Sequence, residues 1–266
     1  MGGYVHGYSA REAERLSDQA AILCPLLHHD TVFPPGSRVL EAGCGTGGQT
    51  GVLLDGTQGI RLTCLDIDGG QLDLARARLG ERAAEVTWRQ GDLLAEPFPD
   101  ASFDHAFVCF VLEHLAHPEP ALAALRRVVR PGGTIMVVEG DHGSCRFHPE
   151  TPGALAVWDE LVAAQRRLGG DPMIGRRLHG LLAGAGFADV RVSPRMVYAD
   201  AGNPALREGF VRRIIVPMVD GVRAQAVERG FDPAAWERGI ADLLATDADG
   251  RGAFCYTFFK ATARVP

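Results

Sequence analysis

Lysine is almost missing from this sequence: Lys260 is the only one. With 27 basic against 33 acidic residues the formal charge is −6, and the arginines nowhere gather into a dense run. Arg126, Arg127 and Arg130 lie close together, but on a predicted helix they read as a solvated face. A chain that tracks a phosphate backbone carries a basic stripe, so no nucleic-acid partner is expected. Apolar runs are also short. None approaches the roughly 18–20 residues that cross a bilayer, so no membrane partner is expected either. Met1 to Asp18 is polar and charged, unlike a signal peptide or anchor, and His6 at position six removes a myristoylation reading of Gly2. The six cysteines (Cys24, Cys44, Cys64, Cys109, Cys145, Cys255) form no CxxC pair and no disulfide rhythm. They read as reduced thiols in a cytoplasmic protein.

What is present is enough apolar material, 46% of the chain, to bury a full core. Ala13, Leu16, Ala20, Leu23 and Leu27 recur at three- and four-residue steps, which predicts an amphipathic helix opened by Ser9 and Glu12 as a capping box. After Pro34-Pro35-Gly36 the pattern alternates. Strand-like runs fall at 39–42, 61–65, 85–89, 106–110, 134–139, 190–192 and 254–261, with helix-like stretches at 49–54, 70–79, 121–129 and 175–185. Such alternation predicts an α/β fold with a mainly parallel sheet covered on both faces. Two stretches break the rhythm: 143–168 starts irregularly and turns helical near Trp158, and 198–246 is mostly helical. Both follow the strand–loop motifs, where such a domain mounts a substrate cover.

The segment Val39-Leu40-Glu41-Ala42-Gly43-Cys44-Gly45-Thr46-Gly47-Gly48 runs from an apolar strand into a glycine loop and then a helix. Glycine permits the tight turn and lets a ligand lie against bare backbone. Gly43, Gly45 and Gly48 also satisfy the dinucleotide fingerprint, which keeps an NAD-dependent oxidoreductase open as the alternative. Glu41 weighs against it, since a carboxylate beside a pyrophosphate is unfavourable, whereas a ligand carrying ammonium and sulfonium charges is attracted. The Tyr-x-x-x-Lys hydride-transfer apparatus is also missing. Asp66 ends a second strand, suited to accept from ribose hydroxyls, with Ile67 beside it against an adenine face. Asp92 and Leu93 follow a third strand, and Phe103 to His114 forms a fourth strand with an aromatic loop beyond it.

With the Glu-Ala-Gly-Cys-Gly-Thr-Gly loop, Asp66, Asp92, the Phe110-to-Leu115 run and Arg130-Pro131-Gly132-Gly133-Thr134 in this order, the chain resembles class I S-adenosylmethionine-dependent methyltransferases of the small-molecule branch, over about residues 36 to 140. The resemblance implies a Rossmann-like, doubly wound, seven-stranded sheet, mostly parallel with an antiparallel last strand, S-adenosylmethionine as cofactor and S-adenosylhomocysteine as product. It implies that Glu41, Gly43, Cys44 and Gly45 hold the amino-acid end, Asp66 the ribose, Asp92 and Leu93 the adenine edge with Ile67 against its face, and that Phe110 faces the methionine portion. The corresponding organisation is a helical cap (1–35), the cofactor-binding core (36–142), a lid insertion (143–175), core continued (176–198), a helical substrate lid (199–252) and the last core strand (253–266).

The expected partner is a small-molecule acceptor, with monomer or homo-oligomer left open. Its chamber is expected from Tyr4 and Tyr8 at the N-terminus with Phe147, Trp158, Met173 and Tyr198, alongside Met196, Phe210 and Met218; this apolar set points to a hydrophobic or aromatic metabolite. Among the histidines, His114 and His142 are the candidates for a catalytic base, because each follows a strand's carboxyl end. The His114-x-x-His117 spacing lacks a tight third ligand, so no metal is expected.

Overall fold

Apolar strands and amphipathic helices assemble here around one seven-stranded sheet. The computed structural model describes residues 10–95 and 98–266, so Tyr4, Tyr8 and the Ser9 capping box lie outside the described residues. Helix α1 (Ala10–Leu27) leads into β1 (Arg38–Ala42), α2 (Thr50–Gly56), β2 (Arg61–Asp66), α3 (Gly69–Leu79), β3 (Val86–Gln90), β4 (Phe103–Cys109) and α4 (Glu119–Val128). Then come β5 (Val129–His148), α5 (Pro152–Arg167), α6 (Leu178–Gly184), β6 (Ala188–Ala199) and a helical insertion: α7 (Pro204–Glu208), a π-helical turn (Gly209–Ile215), α8 (Val216–Asp220), α9 (Arg223–Glu228) and α10 (Pro233–Ala248). Strand β7 (Ala253–Arg264) closes the chain's fold.

The strand order is β3-β2-β1-β4-β5-β7-β6. Strands β1 to β5 pair in parallel, and β7 runs antiparallel between β5 and β6. This is a Rossmann-like doubly wound sheet, with its order reversing between β1 and β4, where such folds bind ligands beyond the strands' carboxyl ends. Alternation explains how both faces are covered. Val39, Cys64, Phe107 and Val138 enter one apolar core with Leu23 and Leu27 of α1, while Leu40, Leu65, Ala106 and Val137 enter the other with Leu122 and Leu125 of α4. Helix starts carry their own signals: Asp68, Thr151 and Asp232 accept from the first free backbone N–H groups of α3, α5 and α10.

The structure departs from the sequence pattern after Glu139. Strand β5 continues to His148, because it keeps pairing with β7 across a register break between Asp141 and Arg146. Residues 142–145 stand opposite the single residue Tyr256, forming an extended bulge. The irregular sequence is therefore strand, distorted by a partner more than a hundred positions away.

Candidate functional site

Beyond the carboxyl ends of β1, β2, β4 and β5 lies a cavity of about 770 Å³, within the roughly 300–1,000 Å³ range of small-molecule sites. Its first half is mostly backbone. The N–H groups of Gly43 and Cys44 donate to the Leu65 carbonyl (2.8 and 3.1 Å), and that of Gly45 donates to Asp66 Oδ2 at 2.7 Å. The loop is thus tied to the end of β2. Gly43 has φ +74°, and a Cβ there would meet Val111 Cγ2 at 2.5 Å. A Cβ on Gly45 (φ +51°) would meet nothing within 4 Å, because it would enter the cavity. The loop leaves a cradle for a ligand laid against the main chain.

Two carboxylates face this cradle. Glu41 is buried; burial pushes its carboxyl up to about 7, against hydrogen bonds from Thr50 Oγ1 (2.7 Å) and Cys64 Sγ (3.2 Å) that favour the ionised form. A cationic ligand would return it to the carboxylate. Burial also raises Asp66, whose Oδ1 accepts from the Asp68 N–H at 3.0 Å. Neither group suits a pyrophosphate; both suit a positively charged, ribose-bearing ligand. Cys44, Asp92, Leu93 and Phe110 also line the cavity, and Ile67 lies at its rim, 47% exposed. Phe110 holds φ +57°, an unusual conformation for a bulky residue and one that clusters at ligand sites. Its N–H is fixed by the Val138 carbonyl at 2.9 Å.

Next to Phe110, Glu139 of β5 organises the loop. Its Oε1 accepts from the Val111 and Leu112 N–H groups (3.0 and 2.7 Å), and burial raises its carboxyl well above the usual range. This turn sets Glu113 and His114 in the cavity wall, with His114 Nε2 3.7 Å from Glu113 Oε1. Gln165 of α5 donates to Glu113 Oε2 at 3.0 Å, and the Asp171 N–H donates to the Glu113 carbonyl. His142 lines the cavity from the bulge, its Nδ1 2.6 Å from the Tyr256 hydroxyl. Phe210, Ile214, Ile215, Met218 and Phe258 supply the apolar remainder, and Arg15, Leu16 and Gln19 of α1 complete the wall.

Five residues expected to line the acceptor chamber are not among those that line the cavity. Phe147 is buried against Phe254, its ring 6.0 Å away. Trp158 is also buried and braces the site from behind, donating from Nε1 to the His142 carbonyl at 3.2 Å. Met173 packs against the Arg166 side chain outside the cavity. Tyr198, like Met196, is 57% exposed because it projects outward from β6, the sheet's edge strand. Conversely, Glu113, Gln165, Ile214, Tyr256 and Phe258 were missed. One signal was available: Phe254, Tyr256 and Phe258 alternate along β7 and share a face.

Lys260, the sole lysine, lies on the sheet instead, donating to the Leu27 carbonyl and to Asp30 and Thr31. The oxidoreductase alternative is not supported. Among the described residues no group of three or more His, Cys, Asp or Glu is placed to hold a metal ion, and no helix is long and apolar enough to cross a membrane.

Residues 40–137 match the family model of a methyltransferase domain. The chain is 34% identical to a ubiquinone/menaquinone biosynthesis C-methyltransferase of Paracoccus denitrificans, over 52% of this chain and 59% of that protein. It is 31% identical to an O-methyltransferase of Penicillium expansum, over 73% of this chain and 68% of that one. The chain spans about three-fifths of the length of the first curated relatives it matches. In fold it resembles Haemonchus contortus phosphoethanolamine N-methyltransferase 2, solved with phosphomonomethylethanolamine and S-adenosylhomocysteine, at a TM-score of 0.58 with 18% identity, over 94% of this chain and 52% of that one.

Proposed function

This chain belongs to the class I S-adenosylmethionine-dependent methyltransferases, and on that premise we propose that it methylates a small, largely apolar molecule held in the second half of the cavity. The observation that carries this reading is the cradle over Gly45, open where a Cβ would stand and flanked by Glu41 and Asp66. Gly43, Cys44 and Gly45 would hold the amino-acid end of the cofactor, with Glu41 opposite its positive charge. Asp66 would accept from the ribose, Asp92 and Leu93 would meet the adenine edge, and Ile67 would cover it at the rim. Phe110 would then stand at the junction of the two halves.

When bound, S-adenosylmethionine supplies an electrophilic methyl group already activated by its sulfonium. What remains for the protein is to align the two reactants and keep water out. The apolar side chains from Phe210 to Met218 and Phe258 form the dry wall, and the Glu113–His114 pair offers a proton acceptor where the methyl acceptor must lose one. The relatives named above act at carbon, oxygen or nitrogen according to their names, so the methylated atom is decided by the acceptor half.

The test is calorimetric titration with S-adenosylmethionine, S-adenosylhomocysteine and NAD, in the wild type and in Asp66→Ala. Micromolar binding of the first two, weakened in the variant and absent for NAD, is the expected result. Binding of NAD alone would overturn the reading.

A further inference from the structure

The polar end of the acceptor half contains an arrangement that restricts what can bind there. His142 is placed by the bulge at 142–145 and held from both sides. Its backbone N–H donates to the Pro172 carbonyl at 2.8 Å, and its carbonyl accepts from Trp158. Asp141 beside it is clamped by Arg176 Nε and Nη2, which donate to its two carboxylate oxygens at 2.6 and 2.7 Å. Gly140 is required here, since a Cβ would lie 2.5 Å from the Tyr256 oxygen. Tyr256 therefore packs against bare backbone with its hydroxyl 2.6 Å from His142 Nδ1.

The direction of that hydrogen bond decides the chemistry. Burial pushes the Tyr256 phenol well above its ordinary range, so it keeps its proton, while the Asp141 N–H lies toward its oxygen. A buried hydroxyl proton needs an acceptor, and His142 Nδ1 is the one within reach among the described residues. Burial also lowers His142, partly opposed by Glu113 and Asp141 and assisted by His114 and Arg15, which face the ring. A neutral imidazole that accepts at Nδ1 carries its single proton on Nε2. That nitrogen makes no hydrogen bond within the described residues.

A second observation stands across the cavity wall. Gln165 is 2% exposed, and its amide orientation is set by Nε2, which donates to the Glu113 carbonyl and carboxylate. Its Oε1 is buried without a partner. Gln165 lines the cavity, and a small shift of its side chain would bring this orphaned acceptor to a ligand donor.

Resting on the methyltransferase reading above, we infer that His142 serves the methyl acceptor as a hydrogen-bond donor through Nε2–H, with Tyr256 as the positioning residue that selects this tautomer and Gln165 Oε1 as the complementary acceptor. The fitting ligand is an apolar ring system bearing a phenolic or enolic hydroxyl, which accepts from His142 and donates to Gln165. Proton removal then falls to the Glu113–His114 pair and not to His142.

Three probes separate these contacts in the protein saturated with S-adenosylhomocysteine: 2-naphthol, which donates and accepts; 2-methoxynaphthalene, which accepts only; and naphthalene, which does neither. Calorimetry should rank them in that order, each step about tenfold, the worth of one buried hydrogen bond made or missed. Gln165→Leu should collapse the first step. His142→Asn should collapse the second and His142→Gln should preserve it, because the glutamine amide nitrogen reaches the Nε2 position. Nitrogen-15 NMR of the wild type should show His142 protonated at Nε2 at neutral pH, and Tyr256→Phe should give a tautomer mixture. Equal affinity for the three probes, or an Nδ1-protonated or imidazolium His142, would overturn the inference while leaving cofactor binding intact. Failure to bind S-adenosylhomocysteine would instead overturn the methyltransferase reading beneath it.

Discussion

The two halves of the cavity are built from different materials. The half proposed for the cofactor is chiefly backbone from neighbouring turns: Gly43 to Gly45 lean on Leu65 and Asp66 through main-chain N–H groups. The half proposed for the acceptor is side chains brought from the whole chain, with Arg15 on α1, Glu113 after β4, His142 in the β5 bulge, Gln165 on α5, Met218 on α8 and Tyr256 on β7. A backbone cradle has no room for a Cβ at Gly43 and keeps the space above Gly45 for a ligand, but it is indifferent to the side chains far from it. A side-chain chamber can be relined without touching the cradle. The difference shows how one fold can keep its donor and change its acceptor.

The comparison breaks most visibly at Asp66. Asp66→Ala removes a carboxylate set to accept two ribose hydrogen bonds, so the dissociation constant for S-adenosylhomocysteine should rise about a hundredfold by calorimetry. A change under threefold would mean that the cofactor half does not use this acid. Glu41→Gln should act in two directions. The native carboxyl titrates at about 7 against an ordinary value of 4.5, so the folded state holds the proton to higher pH, and stability falls as pH rises from about 4.5 through 7. The glutamine avoids this loss and should stabilise the ligand-free protein by an order of 3 kcal/mol at pH 8 and little at pH 4, measured by urea unfolding. The same change should weaken S-adenosylmethionine binding about tenfold by removing a charge opposite a cation.

The acceptor half should respond separately. Met218→Ala opens the chamber wall and should lower kcat/KM for a bulky aromatic acceptor by about tenfold, with the cofactor dissociation constant within about twofold of wild type. A parallel loss of cofactor affinity would show that the halves are not independent. The smallest effect is expected at Tyr198, which projects from the edge strand: Tyr198→Ala should change both constants by less than about twofold. A larger change would return it to the acceptor site.

The legibility of the two halves follows their construction. That Glu41, Gly43, Asp66 and Asp92 gather at one cavity was legible because each sits at a strand end next to its own turn, so local spacing states their geometry. Phe147 and Trp158 were misplaced because an aromatic side chain in an amphipathic helix or strand looks the same whether it faces a cavity or the core. Gln165 carries no local signal, since only the packing of α5 under the 110–114 loop brings it to Glu113. His142 stood out as a histidine after a strand, but its tautomer depends on Tyr256, which is distant in the chain.

The sequence by itself therefore determined the alternating α/β architecture, the glycine cradle and the acids around it, because hydrophobic period and turn chemistry act over a few residues. The tertiary structure alone decided where β5 bulges, which aromatic side chains enter the chamber, and which nitrogen of His142 holds its proton. Those outcomes depend on long-range pairing of β5 with β7 and on burial, and neither is a property of any single segment.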